Sequence, residues 1–201
     1  RVQQTLETLA SIKAFAPHAD IVVLELSRER IPAEYEQLFL HYQPRDILHF
    51  SEYQTIKNHY QMCSTERDPA GSLIKNLNEI AATQAFFTWA LQNQYLANYR
   101  RVFKISGRYS LCAPFDAQLY QHPNMHNRCV FLKQSPSYLD VAVSGNIPMM
   151  YMTRLWSFDP VLLPKLAVWF EVMLDMLLKR LETGGYIDIE NLLALVIPRQ
   201  Y

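Results

Sequence analysis

The sequence predicts an α/β domain: a mainly parallel, Rossmann-like sheet flanked by helices, with a less regular C-terminal half. Three observations carry that prediction. Helix-periodic segments alternate three times with short runs rich in Val, Ile and Phe in the first 106 residues, and the connections between them are short. The 201 residues are 50% hydrophobic and 12% aromatic, enough for one sizeable core and incompatible with disorder.

Each element follows from local pattern. Val2, Leu6, Leu9, Ile12 and Phe15 recur every three or four residues, which predicts a helix over 2–15 that Pro17 stops. The run Ile21-Val22-Val23-Leu24 predicts a strand over 19–26, buried on both faces. A helix over 32–41, a strand over 46–50 and a polar helix over 51–62 come next. Residues 63–72 read as a loop, carrying Pro69 and Gly71. Leu73, Leu77, Ile80, Phe87 and Leu91 then mark one face of a long helix that leads to a strand over 101–106.

Beyond Gly107 the rhythm changes. The pattern predicts a short helix over 115–122, a strand over 129–133 and an extended piece over 147–158. A long helix follows over 161–181, with Leu163, Leu166, Phe170, Met173, Leu177 and Leu181 on one face, and a last helix over 188–196. There is no internal repeat, so a single domain over 1–201 is expected. The chain opens at Arg1 on a segment already helical in pattern, which reads as a fragment.

Composition excludes several classes. The 19 Lys plus Arg balance 19 Asp plus Glu, which removes the electrostatic case for a nucleic-acid partner or an anionic membrane. Three Cys without a C-x-x-C pair argue against a disulfide framework and fit a reducing, cytoplasmic setting. The five Gly assemble neither a dinucleotide fingerprint nor a P-loop, and neither G-x-S-x-G nor H-E-x-x-H occurs. The most apolar stretch, 161–178, is broken by Lys165, Glu171 and Asp175, so no transmembrane segment is expected.

In an open parallel sheet, ligands bind beyond the carboxyl ends of the strands. Polar clusters fall there: Glu25, Ser27 and Arg28; His49, Ser51 and Glu52; Lys104, Ser106, Gly107, Arg108 and Tyr109. The third is the most informative. Gly107 permits a sharp turn, Arg108 offers a planar fork for phosphate, and Lys104 adds a compact charge. The alternative is a strand-end Lys104 paired with a carboxylate such as Glu25, and an Arg108 that is merely a surface residue.

The segment Phe103-Lys104-Ile105-Ser106-Gly107-Arg108-Tyr109, preceded by the helix bearing Lys75-Asn76-Leu77-Asn78-Glu79, resembles bacterial sugar-transfer proteins of the GT-A, nucleotide-diphospho-sugar transferase type. In those relatives a Lys-x-x-x-Glu helix start leads into a strand ending in Lys-x-x-Gly-Arg-Tyr. Arg1-Val2-Gln3-Gln4-Thr5-Leu6 with Ser11-Ile12, and Thr153-Arg154-Leu155-Trp156-Ser157-Phe158, agree with the same pattern.

The resemblance implies a nucleotide-sugar-binding half over 1–110, an acceptor half over 111–201, and a first strand that precedes residue 1. It implies transfer of a sugar from a nucleotide-diphosphate donor to a glycan or lipid-linked acceptor, with Lys104, Gly107, Arg108, Tyr109, Lys75, Glu79 and Arg154 near the donor. The alternative is a non-catalytic α/β binding module that has lost transferase chemistry. The D-x-D metal motif usual in such enzymes is absent from this sequence, so dependence on Mn²⁺ or Mg²⁺ stays open. Without a metal, cationic side chains must stabilise the departing diphosphate.

Other residues carry two readings. Asp188 and Glu190 are either the catalytic acidic pair, with Glu190 taking the acceptor proton, or a helix cap and a dipole partner. Glu79 is either near the donor or a solvent-facing carboxylate. His122, His126 and Cys129 suggest a metal cluster, against which Pro123 breaks the helix that would align them. His49 stands where an acid or base could, although such a His is more often a hydrogen-bonded core residue. Trp89 and Trp169 fall in amphipathic helices and read as core; Trp156 is the candidate for stacking on a sugar or base.

Overall fold

The computed structural model describes residues 2–62 and 72–197. The first helix, α1 (Val2–Phe15), leads into β1 (Val22–Glu25), α2 (Ala33–Leu40), β2 (Asp46–His49), α3 (Gln54–Met62), α4 (Ser72–Gln92) and β3 (Val102–Ile105). The second half contains β4 (Cys129–Phe131), β5 (Gln134–Pro136), α5 (Val141–Ser144), β6 (Met149–Tyr151), β7 (Leu155–Phe158), α6 (Leu163–Glu182) and α7 (Ile189–Val196). Pattern alone located the long helices and main strands to within a few residues. It missed β5 and α5, and the helix expected over 115–122 is a 3₁₀ turn, Ala117–Gln121, capped by Asp116. The predicted loop over 63–72 falls, but for Ser72, outside the described residues.

The α/β class holds, but the expected mainly parallel sheet does not. Only β1 and β2 pair in parallel; β3, β7 and β4 form an antiparallel sheet in the order β3-β7-β4, and β5 pairs antiparallel with β6. A parallel return needs a crossover of about a dozen residues or more, usually helical. The helix α2 supplies one between β1 and β2. In the other sheets β7 returns between β3 and β4, and β6 returns beside β5 after a connection holding only the one-turn helix α5, each running opposite to its partners. The strand β1 is half-buried along its length rather than buried on both faces, and β2 is its only hydrogen-bonded strand neighbour among the described residues.

Strands β1, β2 and β3 nonetheless start from the same end of the molecule. Tyr99, just ahead of β3, donates to Asp20, just ahead of β1, and accepts from Arg45 at the start of β2; Tyr95 donates to Asp46. The Arg45 guanidinium lies 4.3 Å from the Tyr95 ring centroid. The carboxyl ends of all three strands therefore gather at the opposite end, as does the N-terminal half of α4.

The main core joins α4 and α6. Phe87 meets Phe158 and Phe170 edge-on at 5.4 and 5.2 Å, and Leu77, Ile80, Leu166, Met173, Leu177, Leu192 and Leu193 are fully buried around them. The predicted α6 face is the buried one, except that Leu181 is only partly covered. On α4, Leu91 is exposed, and Phe86 and Ala90 carry the buried face instead. Trp156, the candidate sugar platform, is 2% exposed and stacks between Phe131 and Phe170. That burial corrects the stacking expectation: the ring has no face left for a ligand. A smaller cluster, Leu9, Ile21 and Phe39, seals α1 and α2 against the β1–β2 pair.

Candidate functional site

The residues singled out at the end of β3 converge with the other predicted positions on one patch. Lys104 points from β3 to Glu79 on α4, and the two form a partly buried ion pair. Burial by itself would raise the Glu79 carboxyl, but the charge and hydrogen bond of Lys104, with further help from Lys75 and Arg108, hold it below its ordinary value. Lys104 thus pairs with Glu79 rather than Glu25, and Glu79 is not a solvent-facing carboxylate.

Helix α7 brings the acidic pair to the same place. Asp188 is its N-cap, accepting from the Asn191 N–H at 2.9 Å, so the capping reading holds. Its carboxyl is pushed up to about 6, first by burial and further by Glu190, with the Asn191 N–H and Lys75 pulling the other way. Glu190 accepts a hydrogen bond from the Thr153 hydroxyl at 2.5 Å. Helix α7 packs against β6 and α6, and buried Asn76 ties its start to α4, accepting from the Ile189 N–H at 3.2 Å and donating to the Tyr186 hydroxyl. Lys75, next to Asn76, acts on both Glu79 and Asp188 and so bridges the two halves of the patch.

Arg154 completes it from the β6–β7 connection. Its carbonyl accepts from the Ser106 N–H at 3.0 Å, and its guanidinium lies 4.9 Å from the Tyr109 ring centroid. At Ser106 the chain turns sharply, with the Arg108 and Tyr109 N–H groups both directed at the Ser106 carbonyl, 2.7 and 3.1 Å away. Gly107 does this without a left-handed backbone. Its lack of a side chain serves the approach of α1, because a Cβ there would meet the Thr5 hydroxyl at 3.2 Å. Lys75, Arg108 and Arg154 are exposed, whereas Glu79, Asp188 and Glu190 are partly buried.

The patch therefore combines exposed Lys75 and Arg108, which act on Glu79, with the Asp188–Glu190 pair that Lys75 also feels; Arg154 joins it through Ser106 and the Tyr109 ring, and Lys104 is already paired with Glu79. Such a surface can receive an anion while one of its carboxylates takes up a proton. Sequence reading did not assign Thr153 or Asn76 to the site. Their signal was present as polar residues within otherwise apolar stretches, but the positions they touch are 37 and 113 residues away.

Other candidates resolve differently. His122 caps the 3₁₀ turn Pro123–Met125 through Nδ1, and Cys129 is buried in β4 with its thiol pushed up to about 12 by burial. Among the described residues no group of three or more His, Cys, Asp or Glu is arranged to hold a metal ion, and no helix is long and apolar enough to cross a membrane. His49 is not a hydrogen-bonded core residue: neither ring nitrogen has a hydrogen-bond partner. An open polar hollow of about 460 Å³ at the opposite end of the strands is lined by Asp20, Arg45, Tyr95 and Tyr99, whose polar groups are already tied to one another or to Asp46. Comparison of the chain with family models, curated proteins and solved structures found no match in any of the three.

Proposed function

We propose that this protein is a glycosyltransferase-like domain of GT-A type that moves a sugar from a nucleotide-diphosphate donor to a glycan or lipid-linked acceptor hydroxyl. The observation that carries the reading is that exposed Lys75 acts on both Glu79 and Asp188, that exposed Arg108 acts on Glu79, and that Glu190 lies beside Asp188. The sugar–phosphate bond breaks with its electron pair passing to the diphosphate oxygen, where the cations offset the growing charge. The acceptor oxygen forms the new bond to the sugar, and its proton passes to Glu190. One oxygen of Glu190 is held by Thr153, which fixes the carboxylate and leaves the other for the acceptor. Lys104 holds Glu79 in place, so the diphosphate falls to Arg108 and Arg154 with Lys75. A Mn²⁺ or Mg²⁺ ion would find Asp188 and Glu190 as its nearest acidic pair.

The second reading, a binding module without transferase chemistry, draws on the same geometry, since Lys104 is paired and Asp188 serves as a cap. Thermal denaturation with UDP, GDP, ADP and CMP, with and without Mn²⁺ or Mg²⁺, tests the donor site. A ligand at a hundred times its Kd adds about 2.7 kcal/mol, or about 5–10 °C for a chain of this size. Arg108→Ala should abolish that shift. No shift with any nucleotide rejects the donor site, and a shift without sugar transfer favours the binding module.

A further inference from the structure

The hollow of about 460 Å³ at the far end of the strands from Lys104 falls in the range of about 300–1,000 Å³ usual for small-ligand sites, but its lining is polar where such sites are mainly apolar. Part of that lining is the network around Tyr99, which donates to Asp20 and accepts from Arg45; the Arg45 guanidinium also stands 3.9 Å from the Asp20 carboxylate. The rest is the turn that follows α4, which contributes the exposed amides of Asn93, Gln94 and Asn98. The backbone of this turn is fixed. The Tyr95 N–H reaches the Ala90 carbonyl at 2.9 Å, the Ala97 N–H that of Gln94 at 3.1 Å and the Tyr99 N–H that of Leu96 at 3.2 Å. Asn93 donates one amide hydrogen to the Trp89 carbonyl at 2.8 Å, whereas the side chains of Gln94 and Asn98 make no hydrogen bond among the described residues.

We infer that this hollow binds a neutral sugar, whose neighbouring hydroxyls answer donors and acceptors set side by side. Gln94 and Asn98 each present two N–H donors and a carbonyl acceptor, Asn93 keeps its carbonyl, and Arg45 and Asp20 retain N–H groups and lone pairs beyond those the network uses. A hydroxyl both donates and accepts, so it can use either kind of group. A phosphate or carboxylate could use only the donors and would face Asp20; an ammonium group could use only the acceptors and would face Arg45. Those two residues carry the only formal charges in the lining, and the charges cancel. The Tyr95 ring is already engaged by the Arg45 guanidinium at 4.3 Å and the Trp89 ring at 4.7 Å, which disfavours a flat base stacked upon it. Because the turn and the network are held before any ligand arrives, little further ordering opposes binding. This inference stands independently of the transferase proposal.

The test uses the intact chain and the side-chain amide cross-peaks of Gln94 and Asn98 in a ¹H–¹⁵N correlation spectrum, each assigned by its loss on substitution. The methyl glycosides of glucose, galactose, mannose and N-acetylglucosamine are titrated as probes, with inorganic phosphate as the charged control. At least one glycoside should move both amide peaks while the indole peak of Trp156, buried in β7, stays in place, and phosphate should move neither. Gln94 has a left-handed backbone, φ 50°, which glycine adopts without steric cost, and Asn98 is exposed, so the double change Gln94→Gly with Asn98→Ala should leave the fold intact. It should weaken glycoside binding, followed through the backbone N–H peak of Tyr99, by about tenfold, the value of one or two good hydrogen bonds. Unmoved amide peaks with every glycoside, an equal response to phosphate, or full affinity in the double variant overturns the inference.

Discussion

Replacing Asp188 with Asn separates the residue's capping role from its charge. Asn caps a helix as well as Asp does, so the bond from the Asn191 N–H is retained. What changes is a carboxyl raised from the ordinary 3.8 to about 6, chiefly because it is buried. An acid whose folded pKa lies above its unfolded one holds its proton more tightly in the native state. Its contribution is therefore fully present below about pH 4 and is lost as the pH rises through 6. A difference of that size corresponds to about 3 kcal/mol, and screening at a partly exposed carboxyl reduces it to about 2. Urea denaturation of both proteins near pH 4 and near pH 8 measures it. Asp188→Asn should be more stable by about 2 kcal/mol at the higher pH, about 4–8 °C in Tm, and indistinguishable from the parent at the lower. A variant less stable near pH 8, or a gain that does not depend on pH, would refute the reasoning. Loss of sugar transfer in the stabilised variant would show the ionised carboxylate kept for function at a cost in stability.

Two further substitutions follow from the packing. Glu79→Gln leaves Lys104 partly buried without its carboxylate and should cost about 2–4 kcal/mol, whereas the double change Glu79→Leu with Lys104→Met should recover most of that; equilibrium unfolding of the cycle decides it. Trp156→Ala should cost about 3–5 kcal/mol in the same assay, because the ring fills the core between Phe131 and Phe170. A mild loss there would revive a surface role for the indole.

The convergence of the candidate site was legible only in part. Lys104, Gly107, Arg108 and Tyr109 are contiguous, and a strand followed by a turn places them together whatever the rest of the chain does. Lys75 and Glu79 share one helix four residues apart, so their common face also follows from local geometry. That Lys104 meets Glu79, or that Asp188 feels Lys75, depends on where the chain brings α4 beside the end of β3 and where Asn76 ties down the start of α7. Those contacts join residues 25 to 113 apart in sequence, for which periodicity holds no signal. His49 is the opposite case: its place at a strand end was plain, but that its ring is shielded without a hydrogen bond, with the Glu36 carboxylate 3.6 Å from Nε2, depends on α2.

The amino-acid order by itself determined the long helices, the apolar stripes that became the α4–α6 core, the balanced net charge and the lack of a glycine-rich phosphate-binding motif. All of these are matters of composition and of neighbours within a few residues. Tertiary structure decided the strand partners, turning an expected parallel sheet into one parallel pair and two antiparallel sheets, because hydrogen bonds between strands depend on how the chain returns. It also decided which charges are free. Lys104 and Arg108 look equivalent along the chain, but the first is ion-paired with Glu79 on α4 while Arg108 acts on it from an exposed position, open to solvent and to an incoming anion.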